Sequence, residues 1–116
     1  MTHTDFIPYG RQSISDDDIA AVVKSLRSDF LTQGPCVSEF EQAIADKVGA
    51  NYGVAANSAT SALHLACLAL GVKENDSVWT SPNTFIASAN CARYCGASVD
   101  FVDIDPRTYN MCPEKL

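Results

Sequence analysis

The spacing of hydrophobic residues predicts two amphipathic helices in the first 50 positions. Ser15 followed three residues later by Asp18 is typical of a helix N-terminus, and the apolar residues after it share one helical face, which predicts a helix over residues 16–28. Pro35 suits a first helical position and Gly49 suits a helix end, which predicts a second helix between them. The apolar positions of the two faces are Ile19, Val22, Val23, Leu26, Val37, Phe40, Ile44 and Val48.

After position 50 the pattern alternates between short apolar runs and helical spacing. The runs predict strands over residues 52–55, 77–80 and 98–103, and the segments between them predict helices over 60–70 and 85–94, closed by Gly71 and Gly96. Strands separated by such helices form βαβ units and run parallel in one sheet. We therefore predict an α/β fold with a mainly parallel sheet, divided into an N-terminal helical segment, 1–50, and the start of an α/β domain, 51–116.

The predicted sheet is small for a parallel one. Parallel sheets are normally covered on both faces and average about five or six strands. The last residues, "PEKL", also resemble the start of a helix. We therefore expect the 116 residues to be the N-terminal part of a longer chain and the α/β domain to be incomplete.

Composition and charge narrow the classes of partner. The chain is 47% hydrophobic and 19% charged, as in ordinary globular proteins. A net charge of −6 with scattered lysines and arginines disfavours nucleic acid, because binding its backbone needs clustered positive charge. No apolar run reaches the roughly 18 residues of a membrane span, and the first residues do not resemble a signal peptide. We expect a cytoplasmic protein without membrane partners.

The five cysteines predict reduced thiols. An odd number without an export signal makes a disulfide framework improbable. Cys91 and Cys95 would share a helix face, which is compatible with metal ligation, but no CxxC motif or nearby histidine completes a tetrahedral set. Core packing is therefore favoured, since free cysteine is often buried as a small hydrophobe, and no metal is expected.

A run of small side chains separates the first predicted strand from the helix after it: Asn57, Ser58, Ala59 and Thr60. At the carboxyl end of a parallel strand, a helix N-terminus offers free N–H groups to an anion, and the hydroxyls of Ser58 and Thr60 can donate as well. The alternative, which local sequence favours, is that Asn57 or Ser58 only caps the helix. Neither the G-x-G-x-x-G nor the P-loop fingerprint is present, so a dinucleotide or P-loop site is disfavoured.

Phe85 follows the second predicted strand in the segment "TSPNTFIAS". An aromatic ring beside a phosphate site can stack on a flat heteroaromatic ring. Its alternative interpretation is the first apolar residue of an amphipathic helix. The two signals support each other because both lie at the same predicted edge of the sheet.

Three segments carry a resemblance to a known family: "IPYGRQSISDDDIAAVVKSLRSDFLTQGP", "FEQAIADKVGANYGVAANSATSALHLACLALGV" and "SPNTFIASANCARYCGASVDFVDIDPRTYN". In this order they resemble the N-terminal third of the DegT/DnrJ/EryC1/StrS sugar aminotransferases, which are pyridoxal-phosphate enzymes of fold type I, like aspartate aminotransferase. The resemblance implies that Ala59 and Thr60 bind the cofactor phosphate through backbone N–H and hydroxyl and that Phe85 stacks on its ring. With the Ser58 hydroxyl, these are the predicted cofactor-binding residues. Many family members have glycine where this chain has Ala59. More loosely, the resemblance places Tyr9 and residues 32–35 near the active site or dimer interface.

The resemblance also implies an activity. "FLTQGP" and "NSATSAL" are most similar to aminotransferases of the pseudaminic acid pathway, which implies transfer of an amino group from glutamate to C4 of a UDP-4-keto-6-deoxy-N-acetylhexosamine by a homodimer. The lysine and the carboxylate that transamination requires would lie beyond Leu116, so the 116 residues alone are expected to be inactive. Two alternatives remain open, a dehydratase of the same family and a non-enzymatic fragment.

Several ionisable residues are not expected to be catalytic. The lysines have the pattern of solvated surface charge: Lys24, Lys47, Lys73 and Lys115. Asp103 and Asp105 lie in "DIDP", a pattern typical of a turn. His64 lies within a predicted helix, where a packed or half-exposed histidine is expected.

Overall fold

The computed structural model describes residues 8–116, and residues 1–7, with which the predicted N-terminal segment begins, lie outside the described part. The chain divides into two compact units, one ending at Gly53 and the other spanning Val54–Leu116. The assignment of residues 1–50 and 51–116 to two domains stays a prediction. Of the helices in residues 8–116, none is both long and apolar enough to cross a bilayer. The predicted cytoplasmic location stays a prediction.

The first unit contains helices α1, Asp16–Leu26, and α2, Pro35–Val48. The predicted start of α1 is confirmed: the Ser15 hydroxyl oxygen accepts from the Asp18 N–H at 3.2 Å, and the Asp18 carboxylate accepts from the Ser15 N–H at 2.7 Å. This reciprocal pair satisfies two N–H groups that a helix start leaves free. Helix α2 has Pro35 in its first turn and ends at Gly49, whose φ of 69° is left-handed.

The second unit contains the parallel sheet. Its elements are α3, Ala59–Ala69; β1, Ser77–Thr80; α4, Ala87–Tyr94; β2, Ser98–Phe101; and a 3-10 turn, Pro113–Lys115. Strands β1 and β2 are parallel, with Ser77 opposite Ser98 and Thr80 opposite Phe101. Helix α4 connects them and packs against both, so β1, α4 and β2 form one βαβ unit.

The predicted strand over residues 52–55 is wrong: the structure assigns no strand there, and the sheet of the described residues has two strands rather than three. Glycine weakens a strand interior, and Gly53 lies in the middle of this run. Its backbone lies against the carbonyl of Glu41 on α2, so closely that a Cβ at Gly53 would overlap that oxygen. Gly53 is therefore placed by contact with α2 and not by pairing with a strand.

The core of the second unit is built mainly of small side chains. The buried residues are Ala87, Ala89, Cys91, Ala92, Ala97, Val102 and Cys112, and four of them lie on α4. Small residues let α4 approach the two strands and α3 closely. The core of this unit therefore lies around α4.

Candidate functional site

Helix α3 begins with a side-chain cap from Ser58. The backbone of Ser58 is extended, and its hydroxyl oxygen accepts a hydrogen bond from the N–H of Ser61 at 3.2 Å. The Ser61 hydroxyl donates to the side-chain oxygen of Asn57 at 2.8 Å. Of the two capping residues that the sequence allowed, Ser58 is therefore the cap, and Asn57 supports the cap through Ser61.

The cap leaves two backbone donors at the start of α3 free. The first N–H groups of a helix have no partner one turn earlier, and the cap satisfies only that of Ser61. Among the contacts described for residues 8–116, the N–H groups of Ala59 and Thr60 have no acceptor. Ser58 and Ala59 are exposed and Thr60 is half-buried, so neighbouring side chains do not cover the helix start. These donors, with the helix dipole, fit an anion such as a phosphate.

The free donors and Phe85 belong to the same edge of the sheet. The loops that follow α3 and α4 meet at the amino ends of the strands, where the Ser98 N–H donates to the carbonyl of Asp76 at 2.9 Å. Helix α3 packs against α4 and, like α4, leads into the amino end of a strand, so we infer that the N-termini of both helices lie toward the carboxyl ends of the parallel strands. Phe85 comes between the end of β1 and the start of α4, at this same edge.

The backbone of Phe85 is held by a hydrogen bond, and its ring is exposed. The Ser88 N–H donates to the Phe85 carbonyl at 3.0 Å, in the turn that leads into α4. The helix begins at Ala87, later than predicted, and Phe85 is 75% exposed. Phe85 is therefore not the first apolar residue of a buried helix face, which was the alternative interpretation. Its exposed ring is available to contact a planar group.

The ionisable residues that were not expected to be catalytic make local hydrogen bonds or ring contacts. Asp105 accepts from the N–H groups of Arg107 and Thr108 at 2.8 and 3.1 Å, which confirms the predicted turn. The Lys115 ammonium donates to Asp103 at 2.9 Å, and this bond raises the pKa of Lys115. Lys115 is thus held in its charged form, which is not nucleophilic. The His64 ring packs on that of Tyr94, with centroids 5.3 Å apart, as expected of a packed histidine.

The sequence missed one cluster. It singled out Cys91 and Cys95, whereas Cys67 lies on α3, which packs against α4, and the thiols of Cys91 and Cys95 raise its pKa. All five cysteines are free, and the described residues contain no group of histidine, cysteine and acidic side chains arranged to hold a metal ion. The sequence does show that Cys67 and His64, three residues apart, share one face of α3. It does not show that this face packs against α4.

Comparison with known proteins places these features in a family. Residues 12–116 match the model of the DegT/DnrJ/EryC1/StrS aminotransferase family. The UDP-4-amino-4,6-dideoxy-N-acetyl-beta-L-altrosamine transaminase of Campylobacter jejuni is 49% identical over 98 residues, 84% of this chain and 26% of the relative. The spore coat polysaccharide biosynthesis protein SpsC of Bacillus subtilis is 44% identical over 111 residues, 96% of this chain and 28% of the relative. The chain thus spans between a quarter and a third of the length of these relatives.

Solved structures give the same result. Spr1654 from Streptococcus pneumoniae in its PMP form superposes with a TM-score of 0.86 at 33% identity, over 94% of this chain and 28% of that one. Its PLP form gives a TM-score of 0.83 at 34% identity, over 90% of this chain and 27% of that one. These likenesses confirm the predicted α/β fold of fold-type I transferases and the predicted cofactor, pyridoxal phosphate. The individual roles of Ser58, Ala59, Thr60 and Phe85 stay predictions.

Proposed function

The chain belongs to the DegT/DnrJ/EryC1/StrS aminotransferase family, and from this premise we propose that it is the N-terminal portion of a pyridoxal-phosphate-dependent nucleotide-sugar aminotransferase. One observation carries the proposal. The free N–H groups of Ala59 and Thr60 lie at the same sheet edge as the open ring of Phe85. An anion donor site beside an exposed aromatic ring suits a cofactor with a phosphate and a flat heteroaromatic ring.

Each residue of the site has its own role in holding the cofactor. Ala59 and Thr60 donate their N–H groups to the phosphate, and the Thr60 hydroxyl is a further donor. Ser58 keeps the first turn of α3 in place through its bond to the Ser61 N–H, so the donors need no rearrangement on binding. Phe85 covers one face of the ring and excludes water from it. Pyridoxal phosphate, when bound, supplies the carbon through which an amino group is taken from one substrate and given to another.

For the substrates, we propose glutamate as amino donor and C4 of a UDP-4-keto-6-deoxy-N-acetylhexosamine as acceptor, in a homodimeric enzyme of pseudaminic acid biosynthesis. The name of the Campylobacter jejuni transaminase supports the sugar class. We also propose that the lysine that binds the cofactor covalently lies beyond Leu116 and that the 116 residues alone do not transaminate. Lys115, ion-paired with Asp103, supports this for one of the lysines present.

The phosphate contact can be tested by removing one N–H without disturbing the helix. Ala59 is the first residue of α3, where proline is well tolerated, and the extended Ser58 before it is compatible with proline. In the complete enzyme we expect Ala59→Pro to leave the melting temperature nearly unchanged and to weaken pyridoxal phosphate binding about tenfold or more, the usual loss for a hydrogen bond to a charged group. Binding is measured by titration with pyridoxal phosphate.

The matched control is Asp16→Pro, which removes an N–H at the first position of α1. This variant should bind the cofactor as the natural chain does. For the ring, Phe85→Leu should weaken binding, whereas Phe40→Leu, at an exposed aromatic on α2, should not. If Ala59→Pro and Phe85→Leu both bind pyridoxal phosphate with unchanged affinity, the cofactor does not lie at this edge and the proposal is wrong.

A further inference from the structure

Two helices of the second unit bring three thiols together. Cys67 lies on α3, Cys91 lies on α4, and Cys95 caps the end of α4. Helix α3 packs directly on α4. The thiols of Cys91 and Cys95 raise the pKa of the Cys67 thiol, and we call these three residues the thiol cluster.

A ring contact places the same two helix faces together independently of the thiols. His64 lies three residues before Cys67 on α3, and Tyr94 lies directly before Cys95. Their ring centroids are 5.3 Å apart. Because residues three or four apart share a helix face, this contact brings the face of α3 that carries Cys67 against the end of α4.

We propose that the thiol cluster is a modification site at which a low-molecular-weight disulfide oxidises Cys67 and a thiol of α4, linking α3 to α4 by a reversible disulfide bond. Metal binding is a weaker alternative because, within residues 8–116, no set of three metal-ligating side chains has the required arrangement. Cys67 and Cys95 are half-buried, whereas Cys91 is buried and its thiol donates to the Ser88 carbonyl at 3.2 Å. The more accessible pair is therefore Cys67 and Cys95.

The reaction with oxidised glutathione is balanced. The Cys95 thiolate attacks one sulfur of oxidised glutathione, which forms a mixed disulfide and releases one reduced glutathione. The Cys67 thiolate then attacks the Cys95 sulfur, which releases the second reduced glutathione. The two protein thiols lose two protons and two electrons, and oxidised glutathione takes up both electrons. Excess reduced glutathione or dithiothreitol reverses both steps.

The environment of Cys67 makes the second step depend on pH. Burial, and to a smaller degree the neighbouring thiols of Cys91 and Cys95, together raise the pKa of the Cys67 thiol to about 11. The titratable side chains that act on this thiol are those two cysteines, and the ring pair of His64 and Tyr94 lies at nearby positions on the same two helices. Since only the thiolate attacks a disulfide, bond formation should be slow at pH 7 and accelerate about tenfold per pH unit up to pH 10.

Trypsin distinguishes the products, because the cysteines fall in different peptides. Cys67 lies in peptide 48–73, Cys91 in 74–93 and Cys95 in 94–107. The complete enzyme is incubated with oxidised glutathione at pH 7 to 10, alkylated, digested with trypsin and analysed by mass spectrometry. We expect peptide 48–73 joined to 94–107, or to 74–93 after exchange, and loss of the link on adding dithiothreitol. The oxidised protein should also unfold at a higher temperature, since the bond constrains the unfolded chain.

Two variants provide the test and its control. Cys67→Ser should abolish the helix-to-helix link and leave glutathione bound at Cys95, whereas Cys36→Ser, an exposed cysteine of the first unit, should leave the link unchanged. The proposal is overturned if oxidation gives only glutathione adducts, if the links formed are to Cys36 or Cys112, or if the Cys67 link forms at the same rate at pH 8 and pH 10.

Discussion

Ser58 and Ser61 are joined by two contacts at the start of α3: the Ser61 N–H donates to the Ser58 hydroxyl oxygen at 3.2 Å, and their hydroxyl oxygens lie 3.1 Å apart. The side chain of Ser58 is thus used in holding the helix, which leaves the backbone N–H groups of Ala59 and Thr60 as the donors available to an anion. Capping and phosphate binding, which the sequence presented as alternatives, are compatible because they use different donors.

The cap predicts that two substitutions at Ser58 rank in opposite order for stability and for cofactor binding. Ser58→Ala removes the acceptor and should lower the free energy of unfolding by about 1 kcal/mol. Ser58→Asp keeps an acceptor and adds a negative charge that the helix dipole favours, so stability should be retained. The same charge repels a phosphate, so Ser58→Asp should weaken pyridoxal phosphate binding more than Ser58→Ala.

Urea unfolding measures the stability, and cofactor titration of the complete enzyme measures the binding. Ser15→Ala, at the equivalent cap of α1, is the control: it should lower stability to a similar degree without changing cofactor affinity. Tight cofactor binding by the stable Ser58→Asp variant would show that the phosphate lies elsewhere.

A close backbone approach predicts that Gly53 does not tolerate a side chain. A Cβ at Gly53 would overlap the carbonyl oxygen of Glu41, whereas a Cβ at Gly10 would meet nothing within 4 Å. We expect Gly53→Ala to lower the free energy of unfolding by about 1–3 kcal/mol, the usual cost of overpacking, and Gly10→Ala to change it by less than about 0.5 kcal/mol. Chemical denaturation compares the two, and equal effects would contradict the close approach.

The sequence predicted most of the second unit because its signals are local. The run 77–80 and the glycines at 71 and 96 gave the bounds of β1 and the ends of both helices, and φ values of 76° and 82° at these glycines explain why. The strand over 52–55 could not be judged locally, since a strand exists only with a partner, and here Gly53 lies against α2 instead. Periodicity shows that a run is apolar and extended, not what lies beside it.

The candidate site was predictable to the same extent. The free N–H groups at Ala59 and Thr60 follow from any helix start, so the sequence could indicate them. It could not show that Ser58 rather than Asn57 is the cap, because both residue types suit that position. Nor could it place Cys67 beside Cys91 and Cys95, which requires the contact of two helices that are separated in the chain.

The bond between Asp103 and Lys115 predicts a pH dependence at the acid end. The hydrogen bond from Lys115 lowers the pKa of Asp103, and the N–H of Ile104 lowers it further. A carboxyl whose pKa is lower in the folded chain stabilises that chain above its usual pKa of 3.8, and the contribution is lost as pH falls through the lowered value. Asp103→Asn should therefore be less stable than the natural chain at neutral pH and equally stable in strong acid.

Unfolding followed by circular dichroism between pH 2 and 7 measures this difference. Asp29→Asn, at an exposed aspartate of the first unit, is the control and should show a smaller difference at neutral pH. A stability gap between natural chain and Asp103→Asn that persists unchanged in strong acid would show that the charge of Asp103 is not its source.

Cys67 predicts a pH dependence at the alkaline end. Burial and the neighbouring thiols raise its pKa from 9.0 to about 11, so the neutral thiol is favoured in the folded chain. Its contribution to stability is complete below pH 9 and is lost as pH rises through about 11.

Under reducing conditions, the free energy of unfolding of the natural chain should fall more steeply across this window than that of Cys67→Ala, by up to about 1.4 kcal/mol per pH unit. The difference between the two proteins removes the effects of lysine and tyrosine titration, which both share. Cys36→Ala should follow the natural chain throughout, and parallel curves for Cys67→Ala and the natural chain would mean that this thiol is not shielded from water.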